Sequence, residues 1–203
     1  MLQLKNETTK LYPYTIGIAL MLCLSLAMLA KAQETSDVQG RVSPADEKTI
    51  AAFRARVRKY TKRREAIEAE MPKLSKEATP EQIRTHRTEL GGKVRAARAG
   101  AKRGEVFTPA IARYIRSTIR DTLKGAERAE FRKTVLEAET KGVPLKVNYT
   151  YPEDKELVQM PPTLLLKLPQ IPKQVRYRFV GRNLLLVDRE NDLIVDYMFN
   201  ALP

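Results

Sequence analysis

Ten cations at helical spacing are the side chains of this chain best suited to chemistry. Arg54, Arg58 and Lys62 recur every fourth residue, Arg95, Arg98 and Lys102 follow at steps of three and four, and Arg113, Arg116, Arg120 and Lys124 make a third row. Residues three and four apart are neighbours on a helix, so each row becomes a charged stripe. Arginine dominates, and its planar guanidinium fits carboxylate and phosphate oxygens better than an ammonium does. The chemistry on offer is anion binding. A solvated helix face has the same spacing, but Asp121 is the only acid within the third row.

Catalytic and metal chemistry find less support. His86 is the only histidine, so an HExxH site is excluded. His86 and Glu89 share a helical face, yet two ligands do not close a metal site. A Ser-His-Asp triad would need His86 too, and no GxSxG elbow is present. Gly91-Gly92-Lys93 lacks the upstream glycine and the hydroxyl of a phosphate loop, and there is no GxGxxG. Glu137, Glu139, Asp188 and Asp196 could supply carboxylates for glycoside cleavage, but their spacing is not diagnostic. They read as helix solvation and as turn or strand-edge polarity. No catalytic residue, cofactor or metal ligand is expected.

The beginning of the chain has the pattern of an address. Lys5 and Lys10 precede 20 uncharged residues, Leu11 to Ala30, and Ala30-Lys31-Ala32 gives the small-x-small pattern of a signal peptidase site. Positive start, apolar middle and Ala-x-Ala end are the parts of a Sec-type signal peptide. Residues 1–32 are therefore expected to direct export to the periplasm or beyond, with cleavage before Gln33. An uncleaved anchor is the alternative, since about 20 apolar residues can span a bilayer. Cys23, the only cysteine, lies in this segment, so a cleaved chain has neither disulfides nor thiol chemistry.

The charge is uneven. The whole chain carries +13, yet residues 48–133 hold 24 Lys/Arg against 10 Asp/Glu, and residues 143–203 hold eight against seven. A field of this sign attracts anionic surfaces and polymers.

These residues need elements to position them. After a polar lead over 33–42, Ser43-Pro44 reads as a helix start. Ile50, Phe53, Val57, Tyr60, Ile67 and Met71 then form an apolar seam that ends before Pro72, with Arg64 in the missing slot. Thr79-Pro80-Glu81 opens a second helix, weakened at Gly91-Gly92, which ends near Gly100 to Gly104. Thr108-Pro109 opens a third, with Ile111, Ile115, Ile119 and Leu123 on one face, stopped by Gly125. A fourth runs over about 126–140, closed by Gly142. Leu145 to Tyr151 alternates as a half-buried strand, and Met160 to Pro169 holds one or two helical turns. Val175 to Val180, Leu184 to Asp188 and Leu193 to Met198 read as a β-meander. The last two strands are apolar throughout, which requires cover on both faces, expected from helices. The expected fold is α+β: a basic helical region over 43–142 and a small antiparallel sheet over 143–203.

The C-terminal run LPQIPKQVRYRFVGRNLLLVDRENDLIVDYM resembles the β-hairpin ending of small periplasmic proteins grouped with nickel/cobalt-homeostasis factors and with uncharacterised secreted bacterial families. Gly104-Glu105-Val106-Phe107-Thr108-Pro109 resembles the latter families too, and Thr79-Pro80-Glu81-Gln82 is similar to the helix start of periplasmic stress chaperones. The resemblance implies an exported protein and supplies no catalytic or metal-binding residue.

The expectation is a non-enzymatic exported protein whose basic helices engage an acidic protein, an acidic glycan or an anionic lipid surface. Nucleic acid is not the expected partner, because reading motifs and exposed aromatics are missing. Membrane attachment is expected only through residues 1–32, if they stay uncleaved. The alternatives are a hydrolase acting on an envelope polymer, a chaperone-like protein, or a structural subunit that self-associates through helix 44–71.

Overall fold

In the computed structural model, residues 42–156 and 158–202 are described; the expected leader, its expected cleavage site and the polar lead up to residue 41 lie outside them. Residue contacts divide the chain into Met1–Ser43 and Pro44–Pro203, so the helical and sheet regions belong to one unit. Its elements are α1 (Pro44–Ala69), α2 (Pro80–Ala97), α3 (Pro109–Thr122), α4 (Gly125–Glu137), α5 (Pro162–Lys167), β1 (Val175–Val180), β2 (Asn183–Asp188) and β3 (Ile194–Met198). The class is α+β. No described helix is long and apolar enough to cross a membrane.

Helix starts follow local chemistry. The Thr79 hydroxyl accepts from the Gln82 N–H and the Gln82 side chain accepts from the Thr79 N–H, a reciprocal cap for α2. Proline occupies the first position of α1, α2, α3 and α5, where its missing N–H leaves no helical bond unmade. Gly125, the first residue of α4, adopts φ 53°, a conformation that glycine enters without a Cβ clash.

The sheet has the order β1-β2-β3, antiparallel throughout. Its helix-facing side presents Val175, Tyr177, Phe179, Leu184, Leu186 and Val195 to a core shared with Phe53 and Val57 of α1, Leu90 and Val94 of α2, Ile111, Ile115 and Ile119 of α3, and Phe131 of α4. Phe131 meets Phe179 edge-on at 5.3 Å, which brings α4 onto the sheet. Each fully buried Leu, Ile or Phe here stabilises the fold by about 1.5–3 kcal/mol. Phe53, Val57 and Tyr60, the centre of the α1 seam, are thus covered within the chain's own core.

Two expectations need correction. Residues 145–151 form no strand: Asn148 has φ 65°, and a turn closes from the Tyr149 N–H to the Lys146 carbonyl, which interrupts the extended run. The alternation fails for burial as well: Asn148 is buried, Tyr149 is 45% exposed, and only Tyr151 of the four apolar positions is fully buried. The sheet therefore has three strands, not four. The second face of β2 and β3 is also covered otherwise than expected. Val143, Leu145 and Tyr151 from this same irregular segment, not a helix, pack on Val180, Leu185, Val187 and Ile194.

A bulge between Leu186 and Val187 shifts the register against β3. Ile194 joins the second face, while Val195 joins the helix-facing core. Asp196, opposite Leu186, is fully buried on that side too. This re-phasing places a carboxylate under the helices.

Candidate functional site

A cleft of about 600 Å³ opens between α1, the end of α2 and the loop that follows. One turn after another of α1 contributes Arg56, Lys59 and Arg63, all exposed; Arg98, Glu105 and Val106 line the other side. The charged lining is four cations against one carboxylate. Arg56, Lys59 and Arg63 form no ion pair or hydrogen bond with the described residues. Burial, first, and then the nearby Arg63 lower the pKa of Arg98, while Tyr60, Glu105 and Asp196 act against that shift. The lining therefore carries a surplus of positive charge that an anion entering the cleft would offset.

Arg98 is fixed by the rest of the fold. Its Nη1 donates to Asn148 Oδ1 at 2.8 Å and its Nη2 to the Val195 carbonyl at 2.9 Å. Its guanidinium lies 5.0 Å from the centre of the Tyr60 ring. The left-handed Asn148 that breaks the expected strand is therefore also the residue that orients a cleft cation.

Beneath the cleft runs a buried polar network. The Tyr60 hydroxyl donates to Asp188 Oδ2 at 2.6 Å, and Asp188 Oδ1 accepts from the Glu190 and Asn191 N–H groups. Arg64 has a side chain only 5% exposed. Its Nε lies 3.3 Å from Asp188, close enough for an ion pair but not aligned as a hydrogen bond, and its other nitrogens pair with Glu68 and Glu190. Burial opposes the charge on Arg64; Asp188, Glu190 and Glu68 together outweigh it and hold the pKa above its ordinary value. The sequence suggested a polar filler at Arg64 and turn polarity at Asp188; both are core residues. Sequence spacing could not show this, because the partners lie on α1 and β2.

Asp196 organises the cleft wall. Its carboxylate accepts from the N–H groups of Gly104, Val106, Phe107 and Tyr197 at 2.8–3.2 Å. Gly104 takes φ 88°, a conformation that bends the loop over the carboxylate and that L side chains rarely adopt. Asp196 and Asp188 are both 0% exposed and engaged by internal donors. Neither lines the cleft, nor do the surface carboxylates Glu137 and Glu139.

The ten cations singled out from sequence separate into different roles. Only Arg98 lines the cleft. Arg95 donates to the Asn148 carbonyl and the Thr150 hydroxyl. Arg116 holds the carbonyls of Phe199 and Asn200, and Arg120 contacts Ser117 and Asp121 on its own helix. Arg54 is partly buried, with an Nε that has no hydrogen-bond partner. Arg58, Lys62, Lys102, Arg113 and Lys124 are exposed. Sequence reasoning missed Arg56, Lys59 and Arg63. The signal was present: steps of three and four along α1, bordering the Phe53–Tyr60 seam on the side opposite Arg54, Arg58 and Lys62.

Among the described residues, Glu68, His86 and Glu190 each offer a ligand atom within 4.8 Å of the others. The Arg64 guanidinium already joins the two carboxylates. A metal ion would have to displace that buried cation, so the cluster reads as an ion-pair network. Glu89, expected beside His86, is not part of it.

Burial, then Asp188, raise the Tyr60 pKa well above its ordinary value of 10.0. The folded state holds this proton more tightly than the unfolded chain does. The resulting stability is complete below pH 10.0 and is lost as the pH rises through the folded value. The urea midpoint is expected to fall as the pH rises above about 10, and less steeply in Tyr60→Phe. Equal slopes in the two proteins would refute the assignment.

No family model matches the chain, and neither a curated protein nor a solved structure is significantly similar to it.

Proposed function

We propose that this is an exported, non-catalytic binding protein whose α1–α2 cleft takes an anionic group of an acidic partner. One observation carries the reading: Arg56, Lys59 and Arg63, without an ion pair or hydrogen bond among the described residues, gather with the fixed Arg98 around a single concavity. Solvated cations of a helix face have no reason to converge on a cleft. The three α1 cations are spread over seven residue steps, about 10 Å along the axis, which suits a carboxylate- or phosphate-bearing polymer or surface better than one small ion. Export rests on the leader, and N-terminal sequencing that begins at Gln33 would support it.

The test presents the protein, at low salt, with phosphatidylglycerol vesicles, an acidic polysaccharide and an acidic protein. Binding to at least one is expected, and it should weaken as salt screens the charges. Reversing two charges, Arg56→Glu with Arg63→Glu, should reduce the affinity at least about tenfold, a loss of about 1.4 kcal/mol. The paired reversal Arg113→Glu with Lys124→Glu serves as a control outside the cleft and should have a smaller effect. Failure to bind any probe, or equal sensitivity to both pairs, would overturn the proposal.

A further inference from the structure

A second surface stands apart from the cleft, on α5. This helix has six residues and is about 9 Å long. Leu164 is fully buried and roots it in the core. The next two leucines turn outward: Leu165 is 51% exposed, and Leu166, at 84%, is the most exposed large apolar side chain among the described residues. Both ends of the helix are held. The Leu165 N–H donates to the Pro161 carbonyl, and the Leu168 N–H to the Leu164 carbonyl. The Tyr177 hydroxyl donates to the Pro169 carbonyl at 2.9 Å, which fixes the point where the chain leaves α5. The two leucines therefore form a crest on a rigid support.

Cations gather beside this crest. Leu165 and Leu166 border a concavity of about 550 Å³ whose charged lining is Lys173, Arg176, Arg178 and Arg189, with no carboxylate. Arg176 is paired with Asp192. Arg178 and Arg189 donate only to backbone carbonyls, and the buried Nε of Arg178 has no hydrogen-bond partner. Lys173 forms neither an ion pair nor a hydrogen bond among the described residues. Lys173 and Arg189 also border the concavity that contains Glu65, Glu68 and Glu190, but Gln174 and Arg64 engage those carboxylates. An exposed apolar crest thus stands next to positive charge that lacks internal counter-charge.

Size and charge together select the occupant. A stable protein interface buries about 800 Å² on each partner, more than a crest of two leucines offers. A bilayer needs no matching shape: it takes apolar side chains into the acyl boundary and cations at its anionic headgroups. No described helix can cross a membrane, so such a contact stays at the surface. We infer that α5 seats the protein on an anionic bilayer, with Leu165 and Leu166 in the acyl boundary and Lys173, Arg178 and Arg189 against headgroup phosphates. This contact does not depend on the α1–α2 cleft, whose cations lie on other elements.

The chain has no tryptophan, so Leu166→Trp places a single fluorescent reporter on the crest, at a side chain too exposed to endanger folding. At low salt, phosphatidylglycerol vesicles should shift its emission to the blue, and phosphatidylglycerol brominated on its acyl chains should quench it. Phosphatidylcholine vesicles should do neither. Without the reporter, Leu166→Glu should weaken binding to phosphatidylglycerol vesicles about tenfold, as should Lys173→Glu with Arg189→Glu. At saturating vesicle concentration the shift and the quenching should persist when Arg56→Glu and Arg63→Glu are added to Leu166→Trp, so this proposal and the cleft proposal can fail separately. No blue shift, a shift that brominated chains do not quench, or unchanged vesicle binding in Leu166→Glu would overturn the inference. So would a shift without vesicles that grows with protein concentration, because a second copy would then cover the leucines.

Discussion

Asp188→Ala is expected to lower the free energy of unfolding by about 3–5 kcal/mol, the usual consequence of removing one partner from a buried ion pair. Asp188 is 0% exposed and joins three elements: it accepts the Tyr60 hydroxyl from α1, lies beside Arg64 of the same helix, and caps the turn after β2 through the Glu190 and Asn191 N–H groups. The substitution leaves a phenol and two backbone donors without an acceptor, and takes one of three carboxylates from a guanidinium that has little access to water. Chemical denaturation measures the loss. A double-mutant cycle with Arg64→Met separates the pair from the rest: if Arg64 suffers mainly from unpaired charge, adding Arg64→Met should recover part of the stability. Additive losses would show that the interaction with Arg64 contributes little and that the backbone cap and Tyr60 dominate.

Asp196→Ala is the second large effect, expected at about 3 kcal/mol, because N–H groups of 104–107 and of Tyr197 would lose a charged acceptor inside the protein. It also carries a functional signature. The carboxylate does not line the cleft, yet it holds the loop that contributes Glu105 and Val106 to it. Anion binding should therefore weaken in Asp196→Ala although every cleft cation remains. Asp196→Asn keeps one acceptor oxygen and should lie between the two. Unchanged anion affinity in a folded Asp196→Ala protein would show that the loop does not shape the cleft.

The elements of this fold were largely legible because their signals are local. Thr79-Pro80-Glu81 opens α2 as expected, the seam of α1 contains Phe53, Val57 and Tyr60, and the three strands fall where the alternation and apolar runs place them. Residues 145–151 misled because the alternation breaks at its centre: Asn148 takes φ 65° and is buried, and Tyr149 is turned out to solvent. The cleft was less legible. A stripe at i, i+4 is easy to see in a sequence, but which basic row borders α2 depends on how α1 is rotated in the core. Buried aspartates were harder still. Nothing near Asp188 or Asp196 in sequence distinguishes them from turn polarity, since their main partners lie about 90 to 128 residues earlier.

Those long separations bear on when the molecule can become itself. Tyr60 and Arg64 take their acceptors from residues 188 and 190, and the 104–107 loop takes its anchor from residue 196. A chain that emerges from its amino end cannot complete the contacts beneath α1 until nearly its last strand has appeared. Contacts this remote in sequence also form slowly, because a long loop must close before they return any stability. If the chain is exported as proposed, postponing the native state in this way would keep it passable through a narrow channel until the carboxyl end arrives.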